Sequence, residues 1–261
     1  MRILIWFALC FACAMNVWGY TVGEAVEVTL RTDDGRMLPL YPLASEHARK
    51  KVYAEAIKGA GYTVVIRNRL DRRVGVVVAV DGRNIISGTK SWLRNTERMY
   101  LLDPYGVGEF KGWRTGKDKI NRFYFTDAGD SYAAAFNDES AMGVIAVAVF
   151  PEVRRYLSSR ESADMLQASP SAPHKDSARS KAAEGLRAEG ESAGTGYGRT
   201  EYSPAMQVAF ESETRGIETI YIKYEWRSTL CQKGIIDCRP LSPKNRMWND
   251  EGFALPPPGR Q

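Results

Sequence analysis

The sequence predicts an all-β chain: a single antiparallel β-sandwich, of jelly-roll or immunoglobulin-like type, carrying a disordered central insertion. Three observations point there. Short apolar stretches recur from Tyr20 to about Arg155, separated by Gly, Asp-Gly and Asp-Pro breaks. No stretch sustains a 3.6-residue apolar period beyond two turns, and many short strands at close spacing argue for a sandwich or barrel. Between Leu157 and Gly196 there is no aromatic residue, valine or isoleucine, so that run cannot bury enough apolar surface to offset its chain entropy. The 261 residues, 44% of them hydrophobic, suffice for one well-buried core.

Taken in order, the chain opens with a secretory leader. Met1-Arg2 is a short positive start, Ile3 to Val17 is apolar and uncharged, and Val17 and Gly19 supply small residues at the −3 and −1 positions of a cleavage site. We therefore expect residues 1–19 to be removed between Gly19 and Tyr20, leaving a periplasmic or secreted chain. An apolar run this short does not fill a membrane span of roughly 20 residues. Lipid attachment is disfavoured, because neither Cys10, after Phe7-Ala8-Leu9, nor Cys13 follows a Leu-small-small triplet. Removing the leader takes the net charge from +5 to +4, since Arg2 is its only charged side chain, and leaves Cys231 and Cys238 of the four cysteines. In an oxidising compartment these two can close a small disulfide loop.

Residues 20–155 form the predicted sandwich domain. Val26-Glu27-Val28-Thr29-Leu30-Arg31 alternates as a half-buried strand and turns at Asp33-Asp34-Gly35. Val52–Ala56 and Tyr62–Asn68 flank Gly59-Ala60-Gly61 and read as a hairpin, with a short helix over Ser45–Lys58 as the competing reading. Val74–Val80 is β-branched almost throughout, like a central strand, and Asp81-Gly82 is a strong hairpin signal leading to Asn84–Gly88. Further strands are expected at Arg98–Leu102, Lys119–Thr126 and Met142–Phe150. Residues 156–198 read as a disordered linker. Residues 199–240 then return as a β-hairpin, Ala205–Phe210 and Ile217–Trp226, with the disulfide loop completing the sandwich; 241–261 is a loose tail.

Most chemistry is disfavoured residue by residue. His47 and His174 are the only histidines, and no zinc-like spacing exists. The loops Asp127–Ser131 and Asn137–Ser140 are rich in oxygen but match no calcium-loop spacing. Gly112–Asp118 lacks the glycine gap of a phosphate loop, and Asp118 stands where Ser or Thr would ligate magnesium. There is no Gly-x-Ser-x-Gly turn. No cofactor is implied, and a pI near 9.0 with dispersed charge does not suit a nucleic-acid binder.

Two polar clusters remain. Arg67 and Arg69 would share a sheet face and present planar forks to phosphate or carboxylate. The competing reading is a solvated hairpin end that discourages edge pairing. Tyr105, Trp113, Arg114 and Tyr132 are suited to stacking on sugar rings with an added cation. Against this stands a Trp113 that plugs the core, with Arg114 paired to a carboxylate.

The series Tyr62–Asn68, Val77–Gly82, Ile85–Gly88, Tyr100–Leu102, Gly112–Arg114, Phe123–Thr126, Ser131–Ala133 and Gly143–Ile145 resembles a family of uncharacterised exported proteobacterial proteins, and Gly194–Arg199 with Ser203-Pro204 resembles that family's second block. The resemblance implies one exported β-rich domain with a variable central insertion, and no activity. The family usually has histidine where Tyr197 stands. The expectation is a non-catalytic binding module for a cell-envelope protein or anionic glycan. The alternatives are an envelope hydrolase using carboxylates such as Asp103, Asp127 or Asp130, and a structural subunit of a surface assembly.

Overall fold

The structure, a computed structural model, describes residues 19–43, 49–154 and 192–238. The proposed leader, most of the linker and the tail lie outside the described residues, as do both histidines. The strands are β1 (Val26–Thr32), β2 (Leu40–Pro42), β3 (Arg49–Ala56), β4 (Tyr62–Asn68), β5 (Val74–Val80), β6 (Arg83–Asn84), β7 (Tyr100–Leu102) and β8 (Val107–Phe110). They continue with β9 (Gly112–Arg114), β10 (Lys119–Arg122), β11 (Phe125–Asp127), β12 (Val144–Pro151), β13 (Ala193–Thr195), β14 (Thr200–Tyr202) and β15 (Glu218–Trp226). One short helix, α1 (Arg227–Gln232), follows.

The chain is all-β, as its patterning predicts. A seven-stranded sheet runs β2-β3-β15-β12-β5-β6, with β7 also paired to β5, and a three-stranded sheet runs β1-β4-β8. Both contribute to one core: Val26, Val28 and Leu30 from β1 and Val64 and Ile66 from β4 meet Val76, Val78, Val147, Ile220 and Ile222 of the large sheet. Strand β5 is buried along its whole length, because its outer face is covered too, where Val77, Ala148 and Phe150 pack against Leu93 and Met99. The Asp81-Gly82 turn is as expected: Val80 pairs with Arg83, and both turn residues are left-handed, at φ 48° and 77°.

Several expectations are corrected. The segments around Gly59–Gly61 do not form a hairpin: β3 pairs with β2 and β15, whereas β4 pairs with β1 and β8. The connection crosses between sheets, and its turn bonds instead to the Phe125 region, through Gly59 N–H to Phe125 O (2.9 Å) and Phe125 N–H to Ala60 O (3.1 Å). Two strands facing one core from opposite layers carry the same alternation as two strands of a hairpin. The helix reading fails over Arg49–Ala56, which is strand. The large sheet is not purely antiparallel, since β3 and β15 run parallel.

Further along, Asn84–Gly88 is strand only at Asn84. Lys119–Thr126 divides at Phe123-Tyr124 into β10 and β11, which have different partners. Residues 199–240 do not form a returning hairpin: β14 joins β10, and β15 lies between β3 and β12 near the middle of the large sheet. Ala205–Phe210 is not strand but an exposed stretch, with Met206 89% exposed. The linker reading also ran too far. Residues 193–196 are buried and β13 pairs with β11, small residues serving close packing there: a Cβ on Gly194 would meet Ser131 Cβ at 2.7 Å. The Cys231–Cys238 disulfide is present, with the Cα atoms 5.6 Å apart.

Candidate functional site

Trp113 and Arg114 are neighbours on β9, so their side chains leave opposite faces of the strand. Trp113 turns inward. It is 2% exposed, gives its indole N–H to Gly196 O at 3.1 Å, and meets Phe123 edge-on at 5.2 Å. Arg114 turns the other way. Its Nε donates to the Tyr100 hydroxyl at 2.7 Å, and its Nη1 and Nη2 donate to Ser203 O (2.8 Å) and Ser203 Oγ (3.2 Å). Rather than joining a ligand site with Trp113, Arg114 fastens the start of the 203–210 stretch; the hydroxyls and carbonyls around it take the place of the expected carboxylate.

Tyr132 does join Trp113. Their ring centroids lie 4.4 Å apart, and the Tyr132 backbone N–H is held by Thr195 O at 2.9 Å. Tyr197 also stacks on Tyr132, at 5.5 Å and 16°, and Phe136 meets Tyr132 edge-on at 5.0 Å. Exposure rises along this ladder from buried Trp113 through half-buried Tyr132 to Tyr197 and Phe136, which are 46% and 50% exposed. The Arg83 guanidinium covers Phe136 at 4.0 Å from the ring centroid and is oriented by Nη1 donating to Gly88 O at 2.6 Å. Gly88 is needed there: it sits at φ +69°, and a Cβ would come within 2.7 Å of the Tyr132 hydroxyl. The ladder can hold a ring against its outermost face; the Arg83 guanidinium itself is largely buried.

The other predicted residues gather elsewhere. Tyr105, 65% exposed and left-handed at φ 58°, occupies the β7–β8 turn, its N–H bonded to Leu70 O at 3.2 Å. Exposed Arg67 lies opposite Glu27 and Val107 in the three-stranded sheet, and exposed Arg69 follows the end of β4, bonded through its N–H to Ala25 O. These three mark one end of that sheet, apart from the ladder's own chain segments. Of the carboxylates, Asp103 lies near Arg73 Nε at 3.7 Å, Asp127 is paired with Lys58 at 2.6 Å, and Asp130 sits exposed in a 3-10 turn. An open cleft of about 240 Å³ borders Asp33, Asp34, Arg36 and Gly61. Among the described residues no group of three or more His, Cys, Asp and Glu side chains is placed to hold a metal ion, and no helix is long and apolar enough to cross a membrane.

Behind the ladder lies a polar network that the sequence reading missed. Asp81 is fully buried and accepts from Gly143 N–H (2.8 Å), Thr195 N–H (2.7 Å) and the Tyr224 hydroxyl. Thr195 Oγ1 lies 2.7 Å from both the Tyr62 and Tyr224 hydroxyls. With Tyr224 giving its proton to Asp81, donation runs Tyr62 to Thr195 to Tyr224 to Asp81. Burial pushes the Asp81 carboxyl up to about 6 although these donors favour its charge. Burial likewise pushes both tyrosines well above the ordinary phenol value, reinforced by the Asp81 charge. The sequence signal was Asp81-Gly82 itself, which reads as a turn and hides the second role of its aspartate.

No family model, no curated protein and no solved structure matches this chain.

Proposed function

We propose that this chain is an exported, non-catalytic binding module that recognises an anionic glycan of the cell envelope, and that the aromatic ladder is its recognition site. The observation that carries the reading is the Trp113–Tyr132–Tyr197 stack, which emerges at the surface at Tyr197 and Phe136, with the largely buried Arg83 guanidinium packed over the Phe136 ring. Aromatic faces complement the apolar face of a sugar ring, and a guanidinium complements carboxylate or phosphate substituents. The disulfide is compatible with an oxidising compartment.

The test is calorimetric titration at low salt of the purified chain against alginate, polygalacturonate and soluble peptidoglycan fragments, beside Tyr197→Ala and Phe136→Ala. Binding by the wild type that weakens at least tenfold in both variants is expected. No binding to any of the three, or equal binding by the variants, overturns the assignment. A second reading, a structural subunit, draws on the uncharged stretch 203–210, where Met206 and Val208 are 89% and 52% exposed. Light scattering that gives a strict monomer at all concentrations argues against it.

A further inference from the structure

The surface at which the ladder emerges continues onto the three-stranded sheet β14-β10-β9. Trp113 pairs with Asn121, Asn121 with Thr200, and Lys119 with Tyr202. This register sets those side chains on one face, the face from which Trp113 reaches Tyr132 and Tyr197. Contacts across the strands agree. Thr115 Oγ1 donates to Asn121 Oδ1 at 3.0 Å, and Asn121 Nδ2 donates to Gly198 O (2.8 Å) and Thr200 Oγ1 (3.2 Å). Asn121 is buried, with exposed Thr115 and Thr200 on either side of it. Next along the face, Tyr202 is 74% exposed. Lys119, directly opposite, is also exposed and makes no ion pair with a carboxylate of the described residues.

These groups keep hydrogen-bonding capacity toward solvent. Thr200 Oγ1 accepts the Asn121 amide, which leaves its own proton to donate outward. Thr115 Oγ1 gives its proton to Asn121 and keeps lone pairs to accept. Sugar hydroxyls do both. The Tyr202 ring adds a second flat apolar surface, and Lys119 a compact charge suited to a single carboxylate. That charge matters, because the Arg83 guanidinium over Phe136 is largely buried. Glu201 does not neutralise it: lying between Thr200 and Tyr202, it faces the other side of β14, 3.5 Å from Arg122 Nε. Five residues of chain lead from Tyr197 to Tyr202, a reach of at most about 18 Å, with the Asn121–Thr200 pair beside them. A short oligosaccharide covers that distance, and one sugar ring stacked on Tyr197 leaves Tyr202 open.

We propose that Tyr202, Lys119 and Thr200 form a second subsite continuous with the ladder, which takes the following sugars of an extended acidic polysaccharide, with Lys119 binding a uronate carboxylate. This rests on the ladder reading above. The experiment titrates the purified chain at low salt with galacturonate, with oligogalacturonates and alginate oligomers of increasing length, and with a single-stranded oligonucleotide. Tyr197→Ala, Tyr202→Ala, Lys119→Gln and Lys119→Arg are measured alongside. Wild-type affinity is expected to rise at least tenfold from the monomer to the longer oligomers of one series. Tyr202→Ala and Lys119→Gln are each expected to weaken long-oligomer binding at least fivefold with unchanged melting temperature, because both side chains are exposed. Lys119→Gln is also expected to flatten the salt dependence, and Lys119→Arg to restore it. Long oligomers that depend on Tyr197 but bind Tyr202→Ala and Lys119→Gln as they bind the wild type overturn the second subsite and leave the ladder standing. No binding of either series, or binding indifferent to Tyr197→Ala, overturns both. Oligonucleotide bound more tightly than any acidic oligosaccharide, and lost in the same variants, overturns the polysaccharide assignment.

Discussion

Asp81 gives the stability of this protein a pH dependence of definite sign. Burial holds its carboxyl at about 6 in the fold against an ordinary value of 3.8, so the native state binds the proton more tightly than the unfolded chain. The associated stability is complete below 3.8 and is lost as pH rises through about 6. A shift of about two units corresponds to about 3 kcal/mol, with a steepest slope of about 1.4 kcal/mol per pH unit. The perturbation that isolates it is Asp81→Asn, which removes the titration while keeping a residue that tolerates φ 48°. The variant also turns an amide donor toward the Thr195 or Gly143 N–H, a cost that does not vary with pH. Carboxylates held below their ordinary range, Glu109 by Arg31 and Asp138 by Ser140, have the opposite sign, but they are common to both proteins and cancel in the difference. The assay is urea unfolding of both proteins, followed by tryptophan fluorescence, in steps from about pH 4 to about pH 7. The stability of wild type minus variant is expected to fall by about 2 kcal/mol across that range, since the unfolded carboxyl is already more than half ionised at about pH 4. Parallel pH profiles, or a difference that grows with pH, would refute the reasoning.

Other outcomes follow from single contacts. Trp113→Ala removes a buried indole and its bond to Gly196 O, and is expected to cost about 3–5 kcal/mol in urea unfolding. Glu218→Ala strips the common acceptor from three consecutive amides. It is expected to cost about 1–3 kcal/mol and to raise hydrogen exchange at Glu24, Ala25 and Val26 ahead of the core strands. Reducing the Cys231–Cys238 bridge, which spans seven positions, is expected to cost about 2–3 kcal/mol in a melt with and without reductant.

The fold was legible where one residue pattern has one structural solution. Val74–Val80 followed by Asp81-Gly82 is a buried strand and its turn whichever neighbours it finds, and Ile217–Trp226 carries an alternation long enough to define β15 to within a residue. Pairing was not legible. The alternation of β3 and β4 records that each has an inner face, not which sheet that face belongs to, so a short turn between them looked like a hairpin. Composition misled at Ala193–Gly196 for a related reason. Small residues mark a chain that cannot build a core alone, and equally one threaded through the crowded interior of a core built by others. Ala205–Phe210 shows the reverse, apolar enough for a strand yet held only at its start, where the Ala205 N–H bonds to Lys117 O at 2.9 Å, and otherwise exposed. The candidate site divided along the same line. Trp113 and Tyr132 were recognisable as residue types, but Arg114 could not share their site once β9 set adjacent side chains on opposite faces.

Thr195 links that buried network to the surface ladder. Its N–H is bound to Asp81, its hydroxyl to Tyr62 and Tyr224, and its carbonyl to the Tyr132 N–H, while the next carbonyl, of Gly196, accepts the Trp113 indole. Tyr197 stands two residues beyond Thr195, so the position of the outermost ring is inherited from the β13 backbone. Thr195→Val preserves the shape and the backbone bonds but deletes the hydroxyl between the tyrosines, leaving Tyr62 without its acceptor. It is expected to cost about 1–3 kcal/mol of stability. If the ladder is the recognition site, it should also weaken glycan binding with no ligand contact of its own, because the Tyr132–Tyr197 stack loses its fixed base. A variant destabilised by that amount yet with unchanged affinity would mean that the outer rings are held by their mutual stacking and by Gly88, independently of the network beneath.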